Sequence, residues 1–287
     1  MFSVIIPTFN NIKYLKLCLK SLKKNSKFNH EIIIHINEGS DGTLKFVKDL
    51  GLKYSYSKKN EGVCVAFNKA AAKSSKKFLV LGHDDMYFCP LWDLEFEKEI
   101  KKLNHTNFFI SGTMVQYFNG LIDLDCGKDP ESFNENKLLS ELPKIKFNDF
   151  QGTHWQPSLI AKSTWDSVGG FSNEFSPGLG SDPDFNMKLW NKGIRVFKGL
   201  GNCRVYHFSS TSLRKKAWNN GSKTFLIKWG ISIKFFKKHY LQSATMYDGP
   251  LVNPKKNIVY FFDLIKTKIK LFYLILIDNS NNEKINR

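Results

Sequence analysis

Apolar runs alternate with helical patterns along the first eighty residues. Ser3-Val4-Ile5-Ile6 ends at Pro7 and reads as a strand, and Asn10-Asn11 offers a cap for a helix carrying Leu15, Leu17, Leu19 and Leu22. Glu31 to Ile36 predicts a second strand, closed by Asn37-Glu38-Gly39-Ser40. A short helix follows, with Leu44, Val47 and Leu50 at helical spacing and Gly51 as its stop signal. Lys53-Tyr54-Ser55-Tyr56 is a weaker third strand. The segment from Gly62 to about Lys73 places Val63, Phe67, Ala70 and Ala71 on one face, and Phe78-Leu79-Val80-Leu81 reads as a fully buried strand. Strand–helix alternation at this spacing predicts an α/β protein: a Rossmann-like, mostly parallel sheet flanked by helices.

Length and composition set the outer bounds. At 287 residues, with 42% hydrophobic and 14% aromatic content, the chain can bury a large core in one or two units. Five scattered cysteines without a CxxC pair favour a reducing compartment over a disulfide framework or a structural zinc site. The amino terminus runs directly into the first strand, leaving no room for a signal peptide, and no stretch of 18 uncharged apolar residues predicts a spanning helix. A cytoplasmic location is the expectation.

Charge changes this picture at one end. Residues 211–287 hold 15 Lys+Arg and 4 Asp+Glu, so they supply +11 of the net +17. A nucleic-acid enzyme would line its cleft with such charge; here it gathers in the tail, and no nucleic acid partner is expected. Phe225, Leu226, Trp229, Ile233 and Phe236 alternate with Lys223, Lys228, Lys234, Lys237 and Lys238. Further on, Ile258 to Phe262 and Leu271 to Ile277 flank Lys266, Lys268 and Lys270. Two readings stand side by side: basic helices lying peripherally on the cytoplasmic membrane face, or helices packed on the rest of the chain with solvated lysines.

The candidate chemistry centres on Asp84-Asp85. Adjacent carboxylates at the carboxyl end of a buried strand sit where open α/β sheets place ligands, and two such anions repel unless a cation joins them. A hard divalent metal is the simplest resolution, and it suits a diphosphate ligand.

Five segments then carry a resemblance. SVIIPTFN at 3–10, NEGSDGT at 37–43, NEGVCVAFNKA at 60–70, LGHDD at 81–85 and GSDPDFNMKLWNKG at 180–193 resemble, in order, the motifs of family 2 glycosyltransferases. The resemblance implies a GT-A fold over residues 1–210, with a donor half to about 105 and an acceptor half beyond. The basic helical extension over 211–287 lies outside it. It implies transfer of a sugar from a nucleotide diphosphate donor to a glycan or lipid-linked acceptor, in surface polysaccharide or glycolipid assembly. Thr8, Asn10, Glu38, Asn60, Gly62 and His83 fall in its nucleotide-binding loops, although Asn37-Glu38 replaces the family's base-reading aspartate. Asn60 reads equally as a cap of the next helix.

The resemblance also assigns the metal and acceptor sides. Asp84, Asp85 and His207 would hold Mn²⁺ or Mg²⁺, with Gly82 where the family's first carboxylate usually stands; the imidazole leans towards manganese. His154 and Trp155 would line the acceptor cleft. Asp182 would be the catalytic base of a single inverting displacement, while Pro183 after it also makes it a natural helix N-cap. Two other classes fit part of the pattern. A metal-dependent nucleotidyltransferase would more typically carry a glycine-rich basic phosphate loop, which SVIIPTFN lacks. A non-enzymatic basic nucleic-acid- or membrane-binding protein explains the tail but not Asp84, Asp85, Asp182 and His207 in family order.

Overall fold

Val4, Ile5 and Ile6 are wholly buried because β1 (Ser3–Phe9) is paired along both edges and covered on both faces. The computed structural model describes residues 1–152, 156–209 and 219–285, with side chains to residue 276 in the last segment. From β1 the chain passes through α1 (Ile12–Asn25) to β2 (Glu31–Asn37), α2 (Thr43–Asp49) to β3 (Lys53–Ser57), and α3 (Val63–Ala71) to β4 (Phe78–Leu81). β2 and β4 flank β1 in parallel, and β3 continues the parallel set at the edge. The expected strand–helix alternation is therefore present. Two local differences appear. Leu50 lies beyond the end of α2 and is exposed, and Ile12 N–H at the start of α1 is capped by Asp41 rather than by an asparagine side chain.

The second half continues through β5 (Met86–Phe88), α4 (Trp92–Leu103), β6 (Phe108–Gln116), β7 (Ile122–Asp123), α5 (Glu135–Glu141), β8 (Phe150–Gln151), β9 (Ser158–Ala161), α6 (Lys162–Ser167), α7 (Ser181–Asn191) and β10 (Val196–His207). The sheet order is β3-β2-β1-β4-β9-β6-β10-β5, with β7 on β6 and β8 on β10. β9 enters antiparallel between β4 and β6, and β5 lies antiparallel at the far edge of β10. Helices cover both faces, and the architecture is α/β with a helical C-terminal extension.

That extension divides. In α8 (Gly221–Trp229) and α9 (Ile233–His239), Phe225 and Phe236 are fully buried in the same core cluster as Ile5, Ile33 and Phe197. α10 (Ile258–Ile285) instead lies on α9, held where Asp263 accepts from Lys238 Nζ at 2.7 Å and from His239 Nε2 at 2.9 Å. Its outer face leaves Ile258, Phe262 and Phe272 in solvent. Among the described residues, no helix is long and apolar enough to cross a membrane. All five cysteines are buried and free.

Candidate active site

Asp84 and Asp85 occupy the turn between β4 and β5, both 6% exposed. The β5–β10 register sets His207 opposite Met86, and Phe208 N–H donates to the Asp85 carbonyl at 3.1 Å. This pairing brings His207 Nε2 within 3.3 Å of Asp85 Oδ1. Burial, and then the charge of Asp85, push the Asp84 carboxyl up to about 7, offset by polar groups of Thr8 and Asn11. Burial pulls the His207 imidazole down, but the charge and hydrogen bond of Asp85 outweigh it and raise the group above its ordinary value. Gln116 Nε2 donates to His207 Nδ1 at 2.9 Å and so fixes the ring. At Gly82 an added Cβ would meet Phe88 at 3.0 Å and Ile6 at 3.9 Å, an apolar setting that would leave a carboxylate unsolvated.

Asp182 lies in the first turn of α7. The cap at this end is Gly180, with φ 85°, so the expectation of Asp182 as N-cap is corrected: the helix begins two residues earlier, at Ser181 rather than Pro183. Its carboxylate is engaged elsewhere. Gln156 Nε2 donates to Asp182 Oδ1 at 3.0 Å. Burial raises the Asp182 carboxyl to about 6, while Gln156 and the ammonium of Lys237 on α9 pull it back. The His83 imidazole is lowered chiefly by burial, with the charge of Asp85 and the nearby Gln156 side chain acting the other way. The His83 and His207 rings are 6.4 Å apart. Asp182 with Gln156, and His207 with Asp85, are thus two polar pairs, with the His83 ring between them. Asp184, one turn position on, is fully buried and receives Ser172 Oγ at 2.6 Å, Trp229 Nε1 at 2.9 Å and Lys228 Nζ at 2.9 Å. It joins α7 to α8.

The nucleotide-side candidates gather at the carboxyl ends of β1 and β2. Asn10 Nδ2 donates to Glu38 Oε1 at 3.0 Å, and Ser40 N–H donates to Asn10 Oδ1 at 2.9 Å, lacing the two loops. Asn37, which with Glu38 stands where the resemblance expects a base-reading aspartate, is buried and accepts the Glu61 N–H at 3.1 Å. Thr8 Oγ1 is buried close enough to favour the charged form of Asp84, yet finds no partner at hydrogen-bond geometry. Asn60 Oδ1 accepts the Gly62 N–H at 2.9 Å, and Gly62, with φ 89°, is itself the N-cap of α3. A Cβ on Gly62 would stand 2.8 Å from Pro177 Cα, so the close approach this glycine permits is that of the 176–177 loop. His154 and Trp155 lie outside the described residues.

Gln156, Gln116 and Lys237 were not singled out by sequence reasoning. Neither glutamine titrates, and Lys237 is one of many tail lysines, so no local signal marks them. Among the described residues no three His, Cys, Asp or Glu side chains form a ready metal cage. The residues nevertheless fit a hard divalent cation. Two crowded buried carboxylates, one held protonated to about 7, and the orphaned Thr8 hydroxyl make an anionic, under-satisfied turn. Cations bound together with phosphates commonly take only one or two protein carboxylates.

Comparison with known proteins places this site in context. The profile of Glycosyl transferase family 2 matches residues 3–150. An uncharacterized glycosyltransferase of Rickettsia bellii (strain RML369-C) is 33% identical over 150 residues, 50% of this chain and 20% of its own length. The chondroitin synthase of Escherichia coli is 20% identical over 285 residues, 88% of this chain and 41% of its own. The chain thus spans less than half the length of either relative. Residues 1-349 of S. aureus TarS, also crystallised with UDP and with UDP-GlcNAc, superpose with a TM-score of 0.55 at 19% identity over 75% of this chain and 62% of that one. That likeness is one of fold, and the fold is GT-A. With the profile spanning more than half of its residues, the chain belongs to glycosyl transferase family 2.

Proposed function

We propose that this glycosyltransferase is metal-dependent and inverting, and that it moves a sugar from a nucleotide diphosphate sugar to an acceptor hydroxyl. The grouping of Asp182 and Gln156 with His83, His207 and Asp85 carries the reading, because it sets a candidate base near a candidate cation site. Gln156 holds Oδ1 of Asp182, and the carboxylate takes the acceptor's proton. The acceptor oxygen then forms its bond to the anomeric carbon as the carbon–oxygen bond to the diphosphate breaks on the opposite face. Asp84, Asp85 and His207 would hold a divalent cation, which would supply charge neutralisation for a diphosphate leaving group. Thr8, Asn10, Glu38, Asn60, Gly62 and His83 form the nucleotide side, and His154 and Trp155 the acceptor side. The donor class is supported by the complexes of TarS with UDP and UDP-GlcNAc. Surface polysaccharide or glycolipid assembly is supported by the likeness to chondroitin synthase. The exposed apolar and basic residues of α10 support a peripheral contact with the cytoplasmic membrane face.

The test is hydrolysis of a panel of nucleotide sugars with Mn²⁺ present. One donor should be turned over in a metal-dependent way. The Asp182→Asn variant should keep donor binding while losing about a hundredfold or more in turnover with acceptor present. Stabilisation by nucleoside triphosphates alone would favour nucleotidyl transfer, and salt-sensitive DNA binding with no nucleotide response would favour a binding protein.

A further inference from the structure

α9 and α10 enclose a cavity of about 300 Å³ whose walls carry four lysines, Lys234, Lys238, Lys266 and Lys270, with the hydroxyls of Ser232 and Thr267. Among the described residues Asp263 is the one acidic residue lining it, and Lys238 and His239 already occupy its carboxylate. Lys234, Lys266 and Lys270 are exposed and have no acidic partner among the described residues. Ser232 Oγ and Thr267 Oγ1 hydrogen-bond each other at 3.3 Å, which leaves one hydroxyl proton of the pair for a ligand. Cations and hydroxyls around a concave site make the chemistry of a phosphate-binding pocket.

The neighbouring face of α10 narrows the source of the phosphate. Ile258, Phe262, Ile265, Ile269, Phe272 and Leu276 recur at alternating four- and three-residue steps and are all exposed, Ile258 by 83% and Phe272 by 61%. Such a seam would also suit a second copy of the helix. Lys266 and Lys268 border it on either side, however, and self-pairing would set lysine against lysine. An anionic bilayer surface matches both the seam and its flanking charge.

We propose that the α9–α10 pocket seats the phosphate of an anionic phospholipid headgroup while the apolar seam of α10 enters the bilayer interface. The proposal rests on the membrane-facing reading of α10 and adds a headgroup site to it. It also orients the enzyme. Lys234 and Lys238 face the pocket from α9, and Lys237 of the same short helix lies near Asp182. A bilayer bound there stands one helix away from the acceptor side.

The test is co-sedimentation of the full chain with phosphatidylcholine vesicles, with and without phosphatidylglycerol. Binding should require phosphatidylglycerol, and the combined Lys234→Gln, Lys266→Gln, Lys270→Gln variant should weaken it about a hundredfold. A control that removes equal charge elsewhere (Lys45→Gln, Lys48→Gln, Lys58→Gln) should weaken it far less. Equal losses in the two triple variants would overturn the pocket, leaving only net charge. Phe262→Ser with Phe272→Ser tests the seam separately: if this pair keeps vesicle binding while the pocket variant loses it, the seam reading fails and the headgroup site stands. Stabilisation of the wild type but not the pocket variant by inorganic phosphate, with vesicle binding equal in both, would make the site one for free phosphate and overturn the lipid assignment. A dimer in solution that the phenylalanine variants dissociate, with no vesicle binding, would assign the seam to a second copy and overturn it as well.

Discussion

Asp182 holds its proton to about 6 in the folded chain, against 3.8 for an ordinary aspartate, because burial disfavours its charge. Two consequences follow from one shift. As a base it must be ionised, so turnover should rise with pH through about 6 and level off above it. As a buried group with a raised folded pKa, it loses stability as pH climbs from about 4 to about 6. Asp182→Asn should therefore melt higher than the wild type at pH 8, by roughly 1–3 kcal/mol of stability, and equally near pH 4. Calorimetry at both pH values checks the sign. Gln156 acts through Asp182: its amide favours the carboxylate, so Gln156→Ala should move the acidic limb of the rate profile to higher pH. A variant slowed equally at every pH would make Gln156 a packing residue only. Asp84-Asp85 was readable as a site because two carboxylates adjoin a buried strand. Gln156 was not, since an uncharged side chain declares its role only by what it touches.

Elements, rather than residues, bring the site together. β5 is three residues long and has no periodicity of its own, yet its pairing with β10 is what sets His207 beside Asp85. α3 is capped by Gly62, whose positive φ and lack of a Cβ let the 176–177 loop close against it, with Val63 N–H donating to the Pro177 carbonyl at 3.0 Å. That loop leads into α7 and so positions Asp182. Gly62→Ala should cost about 1–3 kcal/mol from backbone conformation alone, with more from the contact at Pro177. The variant should unfold at lower urea concentration and lose turnover, both through displacement of the 176–180 segment. Native stability and rate in this variant would show that the loop yields freely. The apolar runs of β1, β2 and β4 were legible because each is buried on both faces. β5 and the full length of β10 were not, because short or irregular strands take their identity from their partners.

At the scale of the molecule, the anionic turn and the basic extension lie on one folded unit. Neutralising Asp84 and Asp85 should stabilise the whole chain: Mn²⁺ with UDP should raise the melting temperature, and more at pH 8 than at pH 6. The sign follows from Asp84, which must lose a proton near pH 7 before it can bind a cation. Asp84→Ala should abolish the metal-dependent part of the shift, and a metal response that persisted in that variant, or grew towards acid pH, would remove Asp84 from the cation site. The amino-acid order alone determined the α/β class, the strands of the first eighty residues, the family resemblance and the position of Asp84-Asp85. These are local properties, set by hydrophobic period and by neighbours in the chain. Only the tertiary structure decided that Gly180 rather than Asp182 caps α7, that α8 and α9 join the main core while α10 keeps an open face, and that Gln156 and Lys237 reach Asp182. Each of these depends on contacts between residues far apart in sequence, whose distances no period or spacing encodes.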